Sequence, residues 1–84
     1  MPEVVMYCTD TCPYCQRAEK LLTKKGVEIT KINVEGNQAA LREMIKRTGR
    51  NTVPQIFIGD RHVGGFDDLA ELDMDDELDP LLTG

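Results

Sequence analysis

No stretch of this sequence is apolar over the roughly 18 residues that a membrane-spanning helix needs. No basic segment near the start leads into an apolar one, so no secretory leader is expected. Beyond Arg61 lysine and arginine are absent altogether. Residues 62–84 carry eight acidic side chains, a net charge of −8 with His62 neutral, whereas residues 1–61 carry ten basic and seven acidic ones, a net of +3. Nucleic acid is therefore not an expected partner, because phosphate binding needs clustered cations. The acidic end reads as a solvated face. There is no linker, repeat or low-complexity segment, and 84 residues suffice for one small domain with a modest core. The expectation is a single domain over residues 1–84, monomeric, cytoplasmic and away from membranes.

Cysteine is scarce too, but it is concentrated. All three cysteines lie in the stretch Tyr7-Cys8-Thr9-Asp10-Thr11-Cys12-Pro13-Tyr14-Cys15. In a reducing compartment, closely spaced thiols suggest metal binding or catalysis rather than a structural staple, and an odd count argues against a disulfide framework.

The chain alternates between strand and helix patterns. Val4-Val5-Met6-Tyr7 reads as a buried strand. Pro13 suits the first turn of a helix whose inner face holds Cys15, Ala18, Leu21 and Leu22 and which Gly26 stops. Val27 to Val34 is rich in β-branched residues and reads as a second strand. Glu35-Gly36-Asn37 reads as a turn and cap, followed by a helix with Leu41, Met44, Ile45 and Thr48 at helical spacing and Gly49 at its end. Gln55–Ile58 and Arg61–Gly64 flank Gly59-Asp60, a hairpin signal. Asp67-Asp68 opens a last helix, where carboxylates suit the positive end of the helix dipole, with Leu69, Leu72 and Leu78 as its apolar positions. The order is β-α-β-α-β-β-α. Its first β-α-β unit should be a right-handed parallel crossover in a central sheet with helices on both faces.

Cys12 thus falls at a helix N-terminus, where backbone N–H groups and the dipole favour thiolate over thiol. Cys15 lies one turn on, placed to release a mixed disulfide formed at Cys12. Cys8 extends the pattern to C-x3-C-x2-C, which resembles the cluster-binding signature of radical S-adenosylmethionine enzymes. Those need a large β/α barrel, which a chain of this length cannot form. Structural zinc needs four ligands, and His62, the single histidine, reads as a surface-strand residue. No metal site is expected, and Cys8 reads as a strand-end residue with an accessory redox role.

Three separated motifs resemble those of the dithiol class of the glutaredoxin family: Cys12-Pro13-Tyr14-Cys15, Thr52-Val53-Pro54, and Gly64-Gly65-Phe66-Asp67-Asp68. The similarity runs from about Val4 to Leu82. It implies a thioredoxin-like α/β fold with a central four-stranded mixed sheet and a cis Pro54. It also implies glutathione-dependent thiol–disulfide oxidoreduction, with glutathione as co-substrate, no tightly bound cofactor, and disulfide-bonded or glutathionylated proteins as partners. By the same resemblance, Cys12 is the nucleophile and Cys15 the resolving thiol. Tyr14 packs near the bound tripeptide, Thr52 and Val53 hold its cysteinyl part, and Pro54 shapes that loop. Gly65, Phe66, Asp67 and Asp68 surround the γ-glutamyl end.

One departure stands out. Where the family usually has a lysine shortly before the first active-site cysteine, this chain has Thr9, Asp10 and Thr11, and Arg50 is the substitute cation to consider. Two other readings follow from the same residues. One is a dimeric iron–sulfur carrier held by two Cys12 thiolates and two glutathiones, which Pro13 and the second cysteine disfavour. The other is a thioredoxin-like reductant, which the Asp67-Asp68 segment disfavours.

Overall fold

The computed structural model describes residues 2–83. Its elements are β1 (Val4–Cys8), α1 (Pro13–Lys24), β2 (Ile29–Asn33), α2 (Gln38–Thr48), β3 (Gln55–Ile58), β4 (Arg61–Gly64), α3 (Phe66–Met74) and α4 (Leu78–Thr83). The strands form one four-stranded mixed sheet in the order β2-β1-β3-β4. β1 runs parallel to β2 and antiparallel to β3, and β3 pairs antiparallel with β4.

The pleat sorts the core into two layers. Val4, Met6, Cys8, Ile56 and Ile58 point to one face, where Cys15, Ala18 and Leu22 of α1, Leu69 of α3 and Leu78 and Leu82 of α4 cover them. Tyr7 and Phe57 point to the other, under Met44 of α2 and Val34. Met6, Leu22, Met44, Ile56, Leu69 and Leu78 are fully buried, each stabilising the fold by about 1.5–3 kcal/mol.

Local chemistry sets the element ends. Pro13 opens α1 behind Cys12 as N-cap. Asn37 caps α2 by accepting the Ala40 N–H at 3.1 Å, and Gly49 closes it at φ 71°, the left-handed region that glycine enters freely. The second strand is shorter than the run Val27–Val34: Val27 stays tied to the end of α1 through its N–H to the Leu22 carbonyl, 3.4 Å. Ile45, expected inside, is 39% exposed, because α2 covers its face of the sheet with Met44 instead.

The last helical region is where the sequence reading needs correction. Leu78 does not belong to the helix that begins at Asp67-Asp68. That helix ends at Met74, Asp76 turns at φ 59°, and Leu78 begins a separate helix. Pro80 explains the break, since a continuous helix would need its missing N–H and would clash with the preceding turn. Nor is the acidic end only a solvated face: Lys25 at the end of α1 binds both Asp73, at 2.7 Å, and Asp79, at 3.0 Å, and so ties α3 and α4 to α1. Among the described residues no helix is long and apolar enough to cross a membrane.

Candidate active site

Strand β1 ends at Cys8, and the chain turns through Thr9, Asp10 and Thr11 to Cys12. As N-cap of α1, Cys12 is extended (φ −88°, ψ 112°) and turns its sulfur over the helix end, where Sγ accepts the Cys15 N–H at 3.3 Å. This satisfies one of the helix's otherwise unpaired first-turn donors. Sγ also lies 3.7 Å from the Val53 carbonyl. Cys12 is half-buried, whereas Cys8 and Cys15 are buried, and all three are free thiols. Burial pushes the Cys15 thiol above its ordinary range, and a hydrogen bond to Cys12 adds to this. Cys15 therefore keeps its proton beside the Cys12 sulfur.

The Val53–Pro54 peptide is cis, as the resemblance implied. Beside it runs an open groove of about 220 Å³, and every residue expected to contact glutathione lines it: Tyr14, Thr52, Val53, Pro54, Gly65, Phe66, Asp67 and Asp68. The Tyr14 and Phe66 rings stand 6.4 Å apart, centre to centre, and Arg17 lies 5.4 Å from the Tyr14 ring. Gly64, at φ 116°, lets the Asp68 carboxylate fold back over the start of α3, where Oδ2 accepts the Gly65 N–H at 3.0 Å. Glycine offers no side-chain acceptor in return, so only this half of a reciprocal cap is made. The same oxygen is 3.4 Å from Arg50 Nη1. Arg50, considered above as a cation for Cys12, thus pairs with Asp68 on the groove wall.

Two residues sit differently from their expected places or were missed. His62 lies on the edge strand β4, as a surface-strand residue would, but it is half-buried rather than free in solvent. Its ring packs on Phe57 with centroids 5.0 Å apart, and its Nε2 lies 2.8 Å from Gln55 Oε1. Burial lowers its pKa, with Arg50 and Arg47 acting in the same direction and Asp68 against them. Gln55 also lines the groove and is 1% exposed, the one polar side chain buried so deeply among the described residues. Its sequence signal is a lone amide in the otherwise apolar strand Gln55-Ile56-Phe57-Ile58.

Cys8 and Cys15 border a second cavity of about 200 Å³, at whose rim Lys31 and Glu19 pair at 2.7 Å. Desolvation raises the Cys8 pKa, and Lys31 works against that rise. Among the described residues no group of three or more His, Cys, Asp or Glu side chains converges as a metal site would require.

A thiol capping a helix, a second thiol one turn later and a cis-proline loop facing the first belong to one class, the thioredoxin-like thiol–disulfide oxidoreductases. The comparisons narrow the class. The glutaredoxin family model matches residues 4–63. Glutaredoxin 3 of Escherichia coli K12 is 55% identical over 82 residues, 98% of this chain and 99% of that protein. A buckwheat glutaredoxin–glutathione complex superimposes with a TM-score of 0.90 at 33% identity, covering 98% of this chain and 77% of that one. The solution structure of glutaredoxin from Brucella melitensis gives a TM-score of 0.86 at 49% identity, over 98% of this chain and 89% of that one. The chain belongs to the glutaredoxin family and is an enzyme of thiol–disulfide exchange.

Proposed function

We propose that this enzyme uses glutathione, reducing glutathionylated proteins and protein disulfides through Cys12 and Cys15. The Cys12 thiolate attacks the glutathionyl sulfur of a mixed disulfide. The S–S bond breaks, and the protein thiolate leaves and takes a proton. The Cys12–glutathione disulfide is then attacked by a second glutathione thiolate, which releases oxidised glutathione and restores Cys12. With a protein disulfide the first adduct is Cys12 joined to the substrate. Cys15 then loses its proton, attacks the Cys12 sulfur and expels the substrate thiolate, and two glutathiones reduce the resulting Cys12–Cys15 disulfide.

The observation that carries this reading is the groove beside Cys12, lined by all eight residues expected around the tripeptide. The Val53 peptide can pair with an extended ligand as a short added strand. Asp67 and Asp68 offer carboxylates to the γ-glutamyl ammonium, while the first N–H groups of α3 offer donors to its carboxylate. Under the same proposal the working form is one domain over residues 1–84, a cytoplasmic monomer.

The test is glutathione-coupled reduction of a small disulfide, run beside thioredoxin-reductase-coupled reduction. Preference for the first is expected. Cys12→Ser should abolish turnover. Cys15→Ser should keep removal of glutathione from proteins and lose reduction of protein disulfides. Preference for thioredoxin reductase, or equal loss of both activities in Cys15→Ser, would overturn the assignment.

A further inference from the structure

The hairpin of β3 and β4 is irregular at one place. Ile56 pairs with Gly64 and Ile58 with Arg61, but Phe57 pairs with His62, so Val63 is an extra residue. The two-residue turn Gly59-Asp60 sets Ile58 opposite Arg61 and Phe57 opposite His62, which places His62 on the face of Phe57 and Gln55. Val63 would come next, opposite Ile56, but the extra residue brings Gly64 there instead.

The place of His62 opposite Phe57 completes a chain of contacts. His62 Nε2 meets Gln55 Oε1 at 2.8 Å, and Gln55 Nε2 donates to the Thr52 carbonyl at 3.0 Å and to Thr52 Oγ1 at 3.3 Å. Because the Gln55 amide nitrogen is the donor to Thr52, its oxygen faces His62, and His62 must carry its proton on Nε2. The outer end is also fixed, since Phe57, on which His62 packs, has the Arg47 guanidinium 4.0 Å from its ring centre. Arg47 in turn donates to the Tyr7 hydroxyl at 3.0 Å. A glutamine 1% exposed is costly to bury unless its amide is fully used. Here the amide serves the Thr52 peptide, one residue from the Val53 carbonyl that faces Cys12.

We propose that Gln55 and His62 are positioning residues: His62 orients the Gln55 amide, which clamps Thr52 and so presents the Val53 peptide to the disulfide partner. The proposal rests on the glutathione reading for its kinetic consequence, but not for its structural one. Val53 pairs with the partner's backbone and not with its reacting sulfur. Loosening the clamp therefore raises KM and leaves the chemistry at Cys12 alone.

Gln55→Met keeps the volume and removes the amide; His62→Leu removes only the outer bond; His62→Gln restores a donor to Gln55 Oε1. For Gln55→Met, KM for a glutathione mixed disulfide should rise about ten-fold with kcat within about two-fold. Reduction of the Cys12–Cys15 disulfide by dithiothreitol should be unchanged. His62→Leu should show a smaller rise, His62→Gln should reverse most of it, and the double variant should add little to Gln55→Met alone. NMR order parameters of the Thr52 and Val53 backbone should fall in Gln55→Met and fall less in His62→Leu. This readout needs no glutathione, so it separates failure of the clamp from failure of the glutathione reading. Unchanged order parameters in both variants would overturn the proposal, as would loss of kcat or dithiothreitol reactivity equal to the KM effect. If Gln55→Met does not fold, order parameters and KM in His62→Leu against His62→Gln decide it alone.

Discussion

Gly64→Ala should damage the protein far more than Gly65→Ala, although the two glycines are neighbours. At Gly64, φ is 116°, a conformation L side chains rarely adopt, and an added Cβ would run into the Asp68 carboxylate, with Asp68 Cγ only 2.8 Å away. The backbone strain is worth about 1–3 kcal/mol. Pushing Asp68 aside also breaks its bond to the Gly65 N–H, about 1 kcal/mol more. The sum, about 2–4 kcal/mol, corresponds in a domain of this size to a Tm lower by roughly 10–25 °C. At Gly65, φ is −90° and an added Cβ would sit 3.5 Å from the Pro54 carbonyl, an ordinary contact. There the change should stay within about 0.5 kcal/mol. Thermal unfolding of both variants under reducing conditions is the assay. Equal Tm values for the two would refute the reasoning, because they would mean that Asp68 does not occupy the space over Gly64.

High pH should destabilise the reduced protein. Burial raises the pKa of Cys8 and Cys15 above the reference 9.0, so the unfolded chain releases these protons first and stability falls as pH rises past that value. Urea midpoints at pH 8 and pH 10 should differ less in Cys8→Ala than in the unsubstituted chain, and an equal difference would contradict this. Asp67→Lys should lower glutathione-dependent turnover by up to about ten-fold, since exposed pairs contribute ~1 kcal/mol or less and a like charge adds a similar penalty. It should leave Tm and dithiothreitol reduction nearly unchanged. Asp68→Lys should lower both turnover and Tm, because Asp68 also holds the Gly65 N–H and faces Arg50; turnover loss in neither variant would leave the acidic pair a helix cap only.

Much of this architecture is legible in the sequence because its signals are local. Pro13, Asn37 and Gly49 mark helix ends through their own conformational limits, and Gly59-Asp60 marks a turn. What the sequence did not reveal depends on tertiary contacts. The turn Gly59-Asp60 sets His62 opposite Phe57, but the extra residue at Val63 has no signature in Arg61-His62-Val63-Gly64, whose residues suit either face. Gln55 is buried because Thr52 and His62 together use its amide, and neither partner is implied by the strand's composition. The break before Leu78 is legible in Pro80, although the helical spacing of Leu69 and Leu72 gives no sign of it.

The groove itself follows from strand register more than from any motif. Tyr7 of β1 stands opposite Gln55 of β3, and Ile56 of β3 opposite Gly64 of β4. Because both pairs are antiparallel, the end of β1, the start of β3 and the end of β4 lie at the same end of the sheet. Cys12 follows the first, Thr52-Val53-Pro54 precedes the second, and Gly65 to Asp68 follow the third. Three segments far apart in the chain are thus brought together by hydrogen bonds among residues that take no part in the chemistry. A slip of one residue between β1 and β3 would turn Ile56 and Ile58 away from the α1 layer and bring the Gln55 amide and Phe57 into it. The apolar alternation that keeps this pairing in place, Met6 with Ile56 and Val4 with Ile58, therefore also holds the Val53 carbonyl 3.7 Å from the Cys12 sulfur.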